Sequence, residues 1–583
     1  MFRLMRKYLK PYVPFVVAVL FFQTVQTIAT LYLPNMNAHI IDNGVVKGDI
    51  DYIWSEGILM MIITLAQIAC SILAVYFGSK AAFSMARDIR RDLYAHIQNY
   101  SLRELSSFGA PTLITRSTND ITQVQNVTSF LFTLIISAPI MFVGGIVLSL
   151  EQDVALSGVI AATFPVVVIV AVVFMIKVIP YFKKFQKKID RMNEVLREQI
   201  TGVRVVRAFT KENTERARFD KVNDELYHLN LTTGRGMSLL FPIFMLIINL
   251  SILAILWFGG VRVSDGEMEI GAITAFMTYM MYIMMAVLMS SMVFVMMPRA
   301  QVSAGRIRKV FKTKSSVSDP EVPAEIANPK GVLEFSNVEF RYSGAEEPVL
   351  RNVSFMAKPG EVTAIIGSTG CGKSTLLRLI PRLFDATKGA VTIDGVNLKQ
   401  LRLDDISQLV GVIPQKSFLF SGTLESNLKF GKEDATREEM LEALKISQSL
   451  KFLEEKAKES GVEDLLQLEV SQGGTNFSGG QRQRLSIARA IVRKPHIYQF
   501  DDSFSALDNL TDVKLRKALT KITKDRTVII VAQRVSTIRH ADQILVMDKG
   551  EIVGKGTHEE LLTSNDTYKE IVNSQLSAKE ALQ

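Results

Sequence analysis

Gly367-Ser368-Thr369-Gly370-Cys371-Gly372-Lys373-Ser374 fits the pattern G-x-x-x-x-G-K-[S/T], with Thr375 next in line. Such a loop binds phosphates through its backbone N–H groups. Its lysine reaches the β and γ phosphates, and its serine hydroxyl binds Mg²⁺. An apolar run over 362–366 precedes the loop and a helical run over 375–383 follows it. That is the strand–loop–helix setting a phosphate loop requires. A second small-residue turn, Ser478-Gly479-Gly480-Gln481, opens a helix reaching about Arg493. Its two glycines admit a ligand close to the backbone, and the N-terminal dipole favours an anion. The run 497–501 then reads as a buried strand ending in the carboxylate of Asp501, with Asp502 beside it.

The elements that must position these groups are visible as well. Strand-like runs are predicted at 332–340, 349–356, 361–366, 391–394, 408–413 and 527–532, and a helical stretch over 436–458. Residues 312–331, KTKSSVSDPEVPAEIANPKG, are polar, proline-bearing and aperiodic, which marks a linker. The chain therefore divides into 1–311, the linker 312–331, and an α/β phosphate-loop domain at 332–583.

The first part is of a different kind. The 583 residues are 48% hydrophobic and 21% charged, and the apolar ones crowd the first half. Six runs, near 14–41, 53–78, 127–150, 154–180, 238–262 and 270–298, reach the ~20 residues needed to cross a bilayer. A row of six such runs disfavours a soluble bundle. The net charge of +9 is not a nucleic-acid footprint, because its lysines and arginines gather in two of the segments between runs. Thirteen lie between residues 183 and 235, and others from Lys80 to Arg116, whereas the remaining loops are short and mostly acidic. By the positive-inside bias, both termini and both long segments are cytoplasmic. Those segments keep a helical pattern, so spans two to five are expected to continue as helices beyond the membrane. Turns are expected near 105–113 and 209–216. Pro34 is expected to kink span one. Gln23, Gln26, Asn35, Asn37, His39, Gln67 and Asn249 are expected to face protein or a cavity, His39 as a packing residue. The sixth span is methionine-rich, from Met277, Met280, Met281, Met284, Met285 and Met289 to Met292, Met296 and Met297. Methionine suits adaptable apolar surfaces, here either cavity lining or packing. The cysteines, Cys70 and Cys371, suggest neither a disulfide framework nor a thiolate metal site.

The phosphate loop, the SGGQ turn and the strand-end aspartate together resemble the nucleotide-binding domain of an ABC transporter, over roughly 331–583. The six spans with long cytoplasmic helices resemble the exporter-type transmembrane domain, whose turns act as coupling helices. The resemblance implies ATP and Mg²⁺ as cofactors. It implies that Tyr342 stacks on adenine, and that residues 367–375 hold the phosphates. It implies that Ser374, Gln415 and Asp501 serve the metal, and that Ser478 to Gln481 complete a partner's site. LEVSQGGTN, before the signature, resembles the exporter cross-talk loop. Three positions depart from the pattern. Phe477 stands where leucine is usual. Asp502 stands where the family has the glutamate that orients the attacking water, and Gln533 where it has a histidine on the γ-phosphate. Both of the last two weaken chemistry and spare binding. The chain therefore resembles the degenerate-site subunit of a heterodimeric exporter, whose partner carries Glu and His at those positions. A homodimer with two slow sites is the alternative. The expected activity is ATP-driven export of small hydrophobic or amphipathic compounds from a bacterial cytoplasmic membrane. Lipid flipping, peptide export, and a regulatory subunit or ATP-gated channel are the other readings.

Overall fold

The computed structural model describes residues 1–580; side chains at 135, 175, 178–179, 182–183, 240, 291–295 and 576–580, Lys183 and Met292 among them, lie outside the description. The chain forms two compact units. One comprises residues 1–97 and 111–312, the other 98–110 and 313–583.

The first unit is helical. Among the described residues six helices are long and apolar enough to cross a membrane. Spans one to six lie on Val13–His39, Ile50–Gln98, Ile121–Gln152, Val154–Thr201, Glu212–Ser264 and Ile270–Lys312. In hydrocarbon the backbone must satisfy its own hydrogen bonds, which an unbroken helix does. Spans two, four and five have 49, 48 and 53 residues. At 1.5 Å per residue each exceeds the ~30 Å hydrocarbon core by more than twofold. The chain turns back through Val203–Ala208 between spans four and five. Pro34 is accommodated inside its helix, whose continuation Ile40–Val45 is wound as a π-helix.

Polar residues in the spans are mostly paired across helices. Gln23 Nε2 donates to Ser137 (2.8 Å), Gln67 Nε2 to Thr30 (2.9 Å) and Gln152 Nε2 to Asn35 (2.6 Å). One expectation fails: His39 is exposed rather than packed. Asn249 is exposed and donates its amide N–H to the Met245 carbonyl of its own helix. The methionines of span six divide by helical phase. Met280 and Met284 are buried against Phe276, Leu156 and Phe244, whereas Met281, Met285 and Met289 are exposed. Among the described residues the second stripe, Met281, Met285 and Met289, is the one exposed outside the unit.

The second unit is the α/β domain. Its central sheet runs β12-β11-β3-β10-β9-β6, with β3 (Val362–Gly367), β6 (Val410–Ile413), β9 (Ile497–Asp501), β10 (Thr527–Val531), β11 (Gln543–Asp548) and β12 (Glu551–Gly556). All neighbours are parallel except the β11–β12 hairpin. The buried strands are near-continuously apolar, as a sheet covered on both faces demands. A second sheet, β2-β1-β4-β5, uses β1 (Leu333–Phe340), β2 (Leu350–Ala357), β4 (Lys388–Ile393) and β5 (Val396–Asn397). A two-strand ladder joins β7 (Gly422–Thr423) to β8 (Glu469–Val470). Two helices, Arg437–Ile446 and Leu450–Ser460, replace the single one expected over 436–458. The break falls at Gln448, whose φ is +58° between the paired hydroxyls of Ser447 and Ser449. Serine side chains that bond locally compete with helix.

Residues 98–110 belong to this unit. Ser101 caps the helix Leu102–Phe108, and Leu102 packs against the core beneath β1 and β2. Arg103 donates to Ser343 (2.8 Å), Ser101 N–H to Ser315 (3.1 Å), and the buried Glu104 carboxylate accepts from Ser316 N–H (3.2 Å).

Spans four and five are pinned at one end by Asp153. Its carboxylate caps span four through Leu156 N–H (2.7 Å) and takes two donors from Arg262 (3.0 and 2.8 Å). Asp153→Ala removes a cap and leaves the guanidinium short of a partner, an expected loss of about 2–4 kcal/mol. A thermal melt in detergent, with Arg262→Met as the paired control, measures it.

Candidate functional site

Parallel strands place their carboxyl ends on one edge of the sheet, and the phosphate loop, Gln415, Asp501, Asp502 and Gln533 all lie at such ends. The phosphate loop follows β3, Gln415 follows β6, Asp501 ends β9 with Asp502 next, and Gln533 follows β10 by two residues. Register fixes them side by side: Val531 pairs with Asp501 and with Ile365, and Ile413 with Phe500.

The loop's shape depends on glycine at two points. A Cβ on Gly367 would lie 2.1 Å from the Met547 carbonyl, and Gly372 has φ +104° with Leu350 behind it. Lys373 begins the helix Lys373–Leu379 and folds back on its own loop, with Nζ 2.8 Å from the carbonyls of both Gly367 and Ser368. Ser368, Thr369, Gly370 and Ser374 are exposed, whereas Cys371 and Thr375 are buried. Tyr342 Oη lies 3.1 Å from the Thr375 hydroxyl, and its ring stands edge-on to Phe340 and Phe384. Sequence reading placed Tyr342 at the nucleotide. The structure brings it to the phosphate-loop helix.

Asp502 is the meeting point of the edge. Its Oδ2 accepts from Gln533 Nε2 at 2.9 Å and from Gln415 Nε2 at 3.2 Å. Its own N–H donates to Val531 O (2.9 Å), and its φ is +46°, a left-handed conformation that aspartate tolerates better than most residues. Asp501 differs from its neighbour. Burial raises its pKa, and the Asp502 charge raises it further, against the opposing pull of Arg378 and Lys373.

The signature turn stands apart from this edge. Ser478 caps the helix Gly479–Arg493 in a reciprocal box: its hydroxyl accepts from Gln481 N–H (3.3 Å), and its own N–H donates to Gln481 Oε1 (2.8 Å). The backbone around Gly480 is close to Ala506 O, 3.0 Å from where a Cβ would lie. Phe477, the unusual residue, is buried beside Phe452 with Lys456 Nζ 4.8 Å over its ring. The larger ring therefore has a built pocket. Among the described residues no three His, Cys, Asp or Glu side chains cluster as a metal cage.

Comparison with known proteins identifies the family. A family model described as the ABC transporter transmembrane region matches residues 16–287, and one described as ABC transporter matches residues 350–505. An uncharacterized ABC transporter ATP-binding protein of Mycobacterium tuberculosis is 43% identical over 98% of both chains. The chain belongs to the ABC transporter family. Two further relatives carry names that state an activity. An ATP-dependent lipid A-core flippase of Syntrophus aciditrophicus is 30% identical, over 89% of this chain and 85% of the relative. A probable multidrug resistance ABC transporter ATP-binding/permease protein of Bacillus subtilis is 31% identical over 88% of each. The fold matches that of a bacterial Atm1-family ABC exporter with ATP bound, with a TM-score of 0.78 over 97% of this chain and 98% of that one, at 22% identity. The protein is thus a membrane-spanning ABC exporter whose α/β domain is an ATP-binding ATPase coupled to transport.

In this ABC exporter the raised pKa of Asp501 has a cost for the empty protein. A buried acid binds its proton more tightly folded than unfolded. It therefore favours the fold at acid pH and disfavours it as pH rises through the raised value. Asp501→Asn is expected to raise the melting temperature of the nucleotide-free protein at pH 7. The gain should shrink as pH falls towards the ordinary range near 3.8. Melting curves from pH 4 to 8 check both sign and window.

Proposed function

We propose that this chain is one half of a heterodimeric ABC exporter, carrying the slower of two ATP sites. The observation that carries the reading is the hold on Asp502: a carboxylate one methylene short of glutamate, bound by two amides from Gln415 and Gln533. A general base must come within ~2.6–3.2 Å of its water, or one water away. A carboxylate held back on a shorter side chain and occupied by two donors is poorly placed for that. Gln533 donates a hydrogen bond to a γ-phosphate but cannot become a cation.

In this reading residues 367–375 hold the triphosphate, with Lys373 leaving its loop carbonyls for the β and γ phosphates. Tyr342 stacks on the adenine. Ser374, Asp501 and Gln415 serve Mg²⁺ through its oxygen shell. Ser478 to Gln481 face the ATP held by a partner chain that has Glu and His where this chain has Asp502 and Gln533. ATP closes the two domains because it binds the closed pair more tightly, and hydrolysis at the partner's site releases them. Both termini and the long helical segments are cytoplasmic, in a bacterial cytoplasmic membrane. Small hydrophobic or amphipathic compounds are the cargo, supported by the exposed stripe Met281, Met285 and Met289 and by the multidrug-named relative. Lipid flipping is the second reading, favoured by the flippase-named relative.

Steady-state ATPase activity decides the asymmetry. The chain alone is expected to be nearly inactive, and Asp502→Glu with Gln533→His to raise its turnover by at least tenfold. The complex with the product of the adjacent gene is expected to be active, and silenced by removing that partner's glutamate. Robust turnover by the unmodified chain alone overturns the reading. Stimulation of the complex by drugs, lipids or peptides then ranks the cargo.

A further inference from the structure

We propose that Gln575, on the C-terminal helix, is a positioning residue that clamps the segment bearing Gln533 and so sets its grip on Asp502. The inference rests on the reading of Gln533 and Asp502 as γ-phosphate residues. It adds a distant element that controls them.

The C-terminal helix spans Asp566–Glu580. Gln575 uses both ends of its amide. Nε2 donates to the Gln533 carbonyl at 2.7 Å, and Oε1 accepts from the Val535 N–H at 2.8 Å. The two bonds straddle Arg534, so the backbone from 533 to 535 is held at both sides of its turn. Arg534 leads into the single-turn helix Val535–Ile538 and supplies no side-chain cap. Gln575 supplies that cap from 40 residues away. The side chain of the same Gln533 donates to Asp502 Oδ2 at 2.9 Å. Backbone and side chain of one residue thus connect the C-terminal helix to the carboxylate edge.

The clamp has a fixed base. Tyr568 is fully buried, its hydroxyl 2.7 Å from His558 Nδ1, and Val572 packs with Ala532, Val535 and Ile538. The apolar contacts hold the helix against the segment, and the amide orients it. Only a side chain that is both donor and acceptor at this length makes both bonds. Glutamate keeps the acceptor and loses the donor, and alanine loses both. Without the clamp the Gln533 backbone is free to rotate, and Asp502 keeps only its longer contact, to Gln415.

The test uses the full chain and two readouts. The first is amide hydrogen exchange over residues 532–538 in the wild-type background, which does not depend on turnover. Gln575→Ala is expected to speed exchange at Val535 about tenfold, with the melting temperature nearly unchanged. Gln575→Glu should fall between alanine and wild type. The second is ATPase activity in the Asp502→Glu, Gln533→His background. There Gln575→Ala is expected to lower kcat about tenfold with KM for ATP unchanged, whereas a merely structural defect would move the melting temperature and KM together. Unchanged exchange at Val535 overturns the clamp. Faster exchange with unchanged kcat in an active background overturns its positioning role. If the double substitution itself gives no turnover, the reading of residues 502 and 533 falls, and the exchange measurement still decides whether Gln575 holds the segment.

Discussion

The carboxylate of Asp502, shared by the amides of Gln415 and Gln533, is the constraint on which the ATPase unit turns. Three loops that follow three parallel strands meet at one oxygen atom. No loop could reach it alone. The parallel register delivers their ends to one edge, and the positive φ at Asp502 bends the carboxylate towards them. The edge is neutral and polar where it meets Asp502, and charged where Lys373 and Asp501 stand. Rearrangement at any of the three loops is felt by the other two, because the oxygen they share has few lone pairs to give.

The membrane unit solves a different problem with the same economy. Hydrocarbon supplies no partners, so polar side chains in the spans find them across helices, as Gln23 does with Ser137 and Gln67 with Thr30. Such pairs fix helix neighbours without fixing depth or tilt. They leave span six with one methionine face locked in the core and one unclaimed, a division set by a period of 3.6.

Much of this was legible in the sequence. Motif spacing located the edge, since the phosphate loop, Gln415, Asp501, Asp502 and Gln533 sit at the ends of apolar strands whose length a parallel sheet prescribes. Six apolar runs and the basic segments between them located the spans and their long extensions. What escaped was decided by contacts between distant residues. The break at Gln448 needed the pairing of Ser447 with Ser449 against the helical pattern around them. His39, expected to pack, is exposed at the end of its helix. Lys373 gave no sign that it rests on the Gly367 and Ser368 carbonyls. Gln575 carried no signal at all, being one glutamine in a polar amphipathic helix.

The ATPase unit is not a continuous stretch of chain. Residues 98–110 are interrupted from the remainder by some two hundred residues of membrane helix, yet Leu102 fills part of the same core as β1 and β2, and Glu104 holds the linker at Ser316. During synthesis this fragment leaves the ribosome long before the sheet it belongs to. It has to wait, its apolar face uncovered, until the last four spans and the strands beyond them have been made. Assembly of the nucleotide-binding unit is therefore a late event that closes over a piece laid down early. A cut at the linker would give a fragment with a vacant slot, not a complete domain.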